Sequence, residues 1–269
     1  MNRIDKTLAG LQAQAKKVLS PYITAGDPDI NASLAIMHQL VDAGADILEI
    51  GIPFSDPMAE GVVIQAAMER ALARGVHVDT VFSLIQQFRQ DNTETPIVLM
   101  GYLNPIEQYG YEYFVKTAVE AGADGIIVVD LPPEEAEDFS RHCKTFGLQM
   151  IYLCSPTTSK ARLARLSSEA QSYLYYVSLK GVTGADMDLN SVKQDYLRCK
   201  AAVQCPLMLG FGIKTPALAA AIADFADGVI VGAALVDKIY TAYRDKQDGL
   251  KAAFNLVSTF RQAMDKGIT

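Results

Sequence analysis

Apolar residues fall along this chain in short runs that do not alternate with polar ones. The runs are VLSPYI (18–23), ILEIGI (47–52), PIVLMGY (96–102), GIIVVDL (125–131), QMIYLC (149–154), YLYYVS (173–178), PLMLGF (206–211) and GVIVGA (228–233). Most are rich in β-branched or aromatic residues, and turn formers bound them. Strands that are apolar on both faces suit a parallel sheet covered by helices, because neither face then meets water. The stretches between them read as helices. Residues 132–147, PPEEAEDFSRHCKTFG, open on proline, carry acids early and basic groups late, and stop at Gly147. Thr215 and Pro216 open ALAAAIADF as N-cap and first helical residue. Strand followed by helix, eight times, predicts a (β/α)8 TIM barrel, with an open doubly wound sheet as the alternative. That alternative lacks the G-x-G-x-x-G turn after its first strand. The N-terminal segment NRIDKTLAGLQAQAKK puts Ile4, Leu8, Leu11 and Ala15 on one face, which predicts an extra helix across the barrel floor. With no linker-like stretch, residues 1–269 are expected to form a single domain.

The second run carries a charge. In LEIGIPFSDPMAEG (48–61), Glu49 interrupts an apolar strand and Glu60 follows in the loop. Carboxylates are rarely placed inside a strand unless something pairs with them or uses them. In a barrel of this kind the strands' C-terminal ends and their following loops build the active site. Glu49 is therefore expected to point into the mouth from a rigid strand, as a general acid/base, with Glu60 as a more mobile partner. The loops GFGIKTP (210–216) and GAALV (232–236) follow the last two strands, where such barrels hold phosphate. Gly212, Gly232 and Ala233 are candidates to bind it through main-chain N–H groups, aided by a helix N-terminus. GVTGADMD (181–188) is a long loop of small residues and a candidate lid.

Composition narrows the chemistry. Lys plus Arg is 24 against 31 for Asp plus Glu, a formal charge of −7, so no general footprint for nucleic acid or anionic membrane is expected. No apolar run approaches the roughly 18 residues needed to cross a bilayer and no leader pattern opens the chain, which predicts a cytoplasmic protein. Cys143, Cys154, Cys199 and Cys205 show no C-x-x-C spacing and do not cluster with His38, His77 and His142, so they are expected to be reduced thiols, with no metal site. His142 is expected in the last turn of its helix. The reactive groups that remain are carboxylates and backbone.

Six ordered stretches, PYITAGDPD (21–29), LEIGIPFSDPMAEG, VLMGYLNPI (98–106), VVDLPPEEA (128–136), SLKGVTGA (178–185) and LGFGIKTP (209–216), resemble the tryptophan synthase alpha chain family over essentially the whole chain. The resemblance implies a lyase of L-tryptophan biosynthesis that cleaves indole-3-glycerol phosphate to indole and glyceraldehyde 3-phosphate by retro-aldol chemistry. It implies Glu49 as the proton shuttle and Glu60 as the carboxylate facing the ring N–H. The family usually carries aspartate in a D-G-P context where this chain has Glu60, Gly61 and Val62, so charge is kept while reach changes. Gly184, Gly212, Gly232 and Ala233 resemble the phosphate cradle, with Ala233 replacing a more typical serine. Thr183 resembles the lid residue that meets the second carboxylate. Tyr22, Met100, Ile127, Tyr175 and Phe211 match an apolar indole slot, with Tyr22 standing where phenylalanine is common. Pro53, Asp56, Asn104, Pro105 and Asp130 match contacts to a beta chain, which implies an alpha2beta2 heterotetramer. The pyridoxal phosphate cofactor is then expected in the beta chain and none in this one. Two other functions stay open: a weakly active regulatory alpha-like subunit that mainly activates a beta partner, and a barrel isomerase acting on another phosphorylated sugar.

Overall fold

The computed structural model describes residues 2–178, 188–210 and 212–266. The parallel strands are β1 (Val18–Thr24), β2 (Leu48–Gly51), β3 (Ile97–Gly101), β4 (Gly125–Val128), β5 (Gln149–Met150), β6 (Leu153–Cys154), β7 (Leu174–Val177), β8 (Leu207–Gly210) and β9 (Gly228–Val231). They hydrogen-bond in the order β5-β4-β3-β2-β1-β9-β8-β7-β6. β5 and β6 are the two halves of the predicted run 149–154. The first half pairs with β4 and the second with β7, so the chain itself joins the two ends of the order and closes the barrel. Bonds from Ile151 N–H to the Ile126 carbonyl (2.9 Å) and from Tyr175 N–H to the Tyr152 carbonyl (3.0 Å) continue the ladder across the break. Strand stagger in a closed barrel leaves each half facing a different neighbour.

The helices are α1 (Arg3–Ala13), α2 (Ile30–Asp42), α3 (Val62–Ala73), α4 (Val78–Asp91), α5 (Leu103–Tyr109), α6 (Tyr111–Ala121), α7 (Glu137–Phe146), α8 (Lys160–Glu169), α9 (Leu189–Lys200), α10 (Pro216–Ala223), α11 (Ala233–Arg244) and α12 (Gly249–Lys266). None is long and apolar enough to cross a membrane. Period two along the strands divides the core. Leu19, Ile23, Ile50, Leu99, Ile126, Leu209 and Val229 point outward into one cluster with the helices. Val18, Ile47, Val98, Ile127, Tyr173, Tyr175, Met208 and Ile230 point inward and fill the barrel. The strands are apolar throughout because they serve both clusters at once.

Helix ends follow local chemistry. Thr215 accepts from Leu218 N–H at 3.2 Å, with Pro216 in the first position, as predicted. The predicted helix 132–147 begins only at Glu137, since Pro132 and Pro133 carbonyls are taken up by turns to Glu135 and Ala136. His142 accordingly sits mid-helix, one turn above Asp138, rather than in the last turn. At the N-terminus, Ile4 is fully buried in the inward cluster with Leu8 and Leu11 packed on it, so α1 does plug the floor. Ala15 takes no part: the helix ends at Ala13, and Ala15 is exposed with φ +54°. Cys143, Cys154 and Cys199 are buried free thiols and Cys205 is a partly buried one.

At this N-terminal end three aspartates bind the strands in pairs. Asp46 accepts from Leu19 N–H (2.8 Å) and Arg261 (3.1 Å). Asp124 accepts from Ile97 N–H, Arg89 and Arg3, each at 2.9 Å. Asp227 accepts from Leu207 N–H (2.8 Å) and pairs with Lys200 (2.7 Å). Each lies just before one strand and caps the preceding one, so an Ala-Asp pair recurs at 45–46, 123–124 and 226–227.

Candidate active site

At the opposite end a cavity of about 880 Å³ opens among Tyr22, Glu49, Glu60, Met100, Tyr175, Gly212, Gly232 and Ala233. Tyr22 and Glu49 are register partners on adjacent strands, so period two sends both side chains inward. Glu49 is the second residue of β2 and is fully buried. Its fully buried carboxyl is one of the groups that line the cavity. Tyr173 donates to Glu49 Oε1 over a long 3.4 Å. Glu49 Oε2 has no hydrogen-bond partner among the described residues. Burial without a cation pushes the Glu49 pKa up to about 8, opposed by the Tyr173 and Ser20 hydroxyls and reinforced by Glu60.

Glu60 is partly buried, and burial raises its pKa to about 7. It is less free than a loop residue was expected to be. Ala59 N–H donates to the Tyr102 hydroxyl at 3.1 Å, and the Glu60 carbonyl accepts from Gln65 Nε2 at 2.8 Å. Gly61 is the N-cap of α3, so Glu60 stands directly before a helix start. Side-chain bonds thus hold the backbone on both sides of Glu60.

Two tyrosines form the walls. The Tyr22 hydroxyl meets Thr24 Oγ1 at 3.2 Å, and a methyl group at Gly51 would run into that hydroxyl. Gly210 gives the same room to Tyr175. Burial raises both phenol pKa values well above 10, so both rings stay neutral. On the far wall Gly212 has φ +77° and Gly232 is the N-cap of α11, whose first residue is Ala233. The first N–H groups of α11 and the positive end of its dipole adjoin the cavity, which suits an anion. Lys214 and Lys238 also line it. The sequence reading of this wall rests on glycine N–H groups and includes neither lysine. The available signal was a lysine within the loop after β8 and another on the helix after β9.

Ile127 is fully buried in the inward cluster and is not among the cavity-lining residues. Its register partner Met100 does line the cavity. Phe211, Thr183 and Gly184 lie outside the described residues, as does the candidate lid up to residue 187; Asp188 is the N-cap of α9. Of the expected partner contacts, Asp56 and Asn104 are exposed, Pro105 is partly buried and Pro53 is buried. Asp130 accepts from Leu103 N–H at 2.7 Å and so ties the loop after β4 to the start of α5.

A family model described as tryptophan synthase alpha chain matches residues 8–265. A tryptophan synthase alpha chain from Legionella pneumophila (strain Paris) is 62% identical over 98% of this chain and 98% of its own length. The crystal structure of tryptophan synthase subunit alpha from the same strain superposes with a TM-score of 0.95 at 60% identity, covering 99% of each chain. A solved structure concerning mutual activation of the tryptophan synthase a2b2 complex from Pyrococcus furiosus superposes with a TM-score of 0.84 at 35% identity, over 91% of this chain and 98% of that one.

Proposed function

The chain belongs to the tryptophan synthase alpha chain family, and from that premise we propose that it cleaves indole-3-glycerol phosphate to indole and glyceraldehyde 3-phosphate, using Glu49 and Glu60. Its place is in L-tryptophan biosynthesis. The observation that carries the reaction is the pair of carboxyl groups raised to about 8 and about 7 in one cavity, facing a wall made of glycines and a helix start.

Retro-aldol cleavage needs three things. Indole C3 must gain a proton, the hydroxyl on the adjacent side-chain carbon must lose one, and positive charge arising at the ring nitrogen must be stabilised. Glu49 with a pKa of about 8 carries a proton at neutral pH and can deliver it to C3. The C–C bond then breaks as the hydroxyl becomes the aldehyde carbonyl and returns its proton to the carboxylate. Glu60, as a carboxylate, accepts the ring N–H and offsets the charge there. Tyr22, Met100 and Tyr175 give the flat ring apolar contact. Gly212, Gly232 and Ala233 receive the phosphate through main-chain N–H groups, with Lys214 and Lys238 adding charge. Ile127 supports this slot from below, and Thr183, Gly184 and Phe211 complete the assignment by resemblance.

The partner is a tryptophan synthase beta chain that carries pyridoxal phosphate, in an alpha2beta2 assembly. The surface offered to it comprises Pro53, Asp56, Asn104, Pro105 and Asp130. Met58 supports this reading, because it is a large apolar side chain 79% exposed on the same loop, its N–H bonded to the Asp56 carbonyl at 2.8 Å. Indole release by the purified chain tests the reaction. Glu49→Gln is expected to abolish it while binding of glycerol phosphate stays near wild type; unchanged turnover would remove Glu49 from the mechanism. Robust release by the isolated wild-type chain would also count against a purely regulatory role.

A further inference from the structure

Beneath Glu49 lies a group that the reaction scheme leaves unused. Ser20 is the third residue of β1 and fully buried. It is two residues before Tyr22, so it shares the inward face with Tyr22 and Glu49. Ser20 Oγ and Glu49 Oε2 are both buried and both lack a hydrogen-bond partner among the described residues. The hydroxyl is nevertheless near enough to the carboxyl to favour its charged form. Two unsatisfied polar atoms on the inward face of paired strands carry a substantial desolvation cost unless they serve one another.

We propose that Ser20 is a positioning residue for the acid/base carboxyl: its hydroxyl accepts from Oε2 when Glu49 carries the proton and donates to Oε2 when Glu49 has released it. This inference rests on the reading of Glu49 as the proton shuttle. A hydroxyl is both donor and acceptor on one rotor, so one side chain serves both proton states. Neither a lysine nor a methyl group in its place could do so. Tyr173 engages the other oxygen, Oε1, at 3.4 Å, which leaves Oε2 to Ser20. Donation to a carboxylate is the stronger of the two bonds, so the net effect of Ser20 is to hold down the proton affinity that burial raises. The titratable groups facing Glu49 are Tyr22 on β1, Glu60 before α3, and Tyr173 and Tyr175 at β7. Lys214 and Lys238 line the same cavity from the loop after β8 and from α11.

Titration of the Glu49 carboxyl by NMR tests this directly. The full chain is labelled with glutamate carrying carbon-13 at the side-chain carboxyl, and the Glu49 signal is assigned by its loss in Glu49→Gln. Ser20→Ala is expected to raise the midpoint by about one pH unit, the scale of a lost hydrogen bond to a charged group. Ser20→Thr, which keeps the hydroxyl, is expected to leave it at the wild-type value. In kinetics, the limb of the kcat/KM profile assigned to Glu49 moves up with Ser20→Ala while KM changes little. An unmoved midpoint in folded Ser20→Ala overturns the proposal. Should that variant fail to fold, Ser20→Cys, a weaker donor, is expected to shift the midpoint upward by less, and no shift overturns it equally. A chain that makes no indole sinks the lyase reading, yet the carboxyl titration still decides the role of Ser20.

Discussion

Carboxyl groups that are buried or partly buried occur at both ends of this barrel and meet opposite treatment. At the N-terminal end Asp46, Asp124 and Asp227 each accept a strand N–H and each has a basic partner, Arg261, Arg3 with Arg89, and Lys200. At the C-terminal end Glu49 has one long bond from Tyr173, and among the described residues its other oxygen has no partner and no cation offsets its burial. The same functional group is thereby made a structural clamp at one end and a proton carrier at the other. What separates the two is the local supply of donors and positive charge. Even Asp46, raised to about 6 by burial, is held lower than Glu49 by its N–H and arginine.

Exchanging the two environments is the way to break this comparison. The largest effect is expected at Glu49, where Glu49→Gln lowers indole release by roughly a thousandfold or more, the scale of a lost general acid/base. At the other end Asp124→Ala leaves Arg3, Arg89 and the Ile97 N–H without their common acceptor. It is expected to cost about 3–5 kcal/mol in urea unfolding, with little change in turnover per folded molecule. A loss of turnover exceeding the loss of folded protein would show that the two ends are not separable. Glu60→Asp sharpens the comparison within the site. Its backbone is held by Tyr102 and Gln65, so a side chain shorter by one methylene cannot be carried forward, and kcat is expected to fall about a hundredfold. The smallest effect belongs to Tyr22→Phe. Removing a hydroxyl bonded to Thr24 is expected to change stability by about 1 kcal/mol or less, with the ring contact to indole retained.

Much of this was legible before any coordinates. Strand positions followed from apolar runs because both strand faces are buried, and helix starts followed where a side chain caps them, as at Thr215. Failures came where tertiary contacts decide. Ala15 keeps the amphipathic period but falls after the helix has ended, and the prolines at 132 and 133 form turns rather than a first helical turn. Glu49 was legible as an odd charge in a strand, but its depth depends on the stagger between strands, which one strand's pattern does not contain. The repeated Ala-Asp before three strands was visible and passed over, because its meaning lies in the N–H of a neighbouring strand far away in sequence. Lys214 was overlooked inside a motif read only for its glycines.

Glu49 is buried with no charge compensation among the described residues, and the linkage of its proton to folding gives the sign. A carboxyl raised from 4.5 to about 8 keeps its proton in the folded chain while the unfolded chain loses it. The stability it allows is therefore full below about pH 4.5 and declines until the pH passes the folded value. The most direct measurement is urea unfolding of wild type and Glu49→Gln across pH 4 to 9. The two curves are expected to run together at the acid end and then separate, with Glu49→Gln more stable above pH 8 by as much as about 5 kcal/mol. A constant offset across the range, or a wild type that gains on the variant as pH rises, would contradict the account.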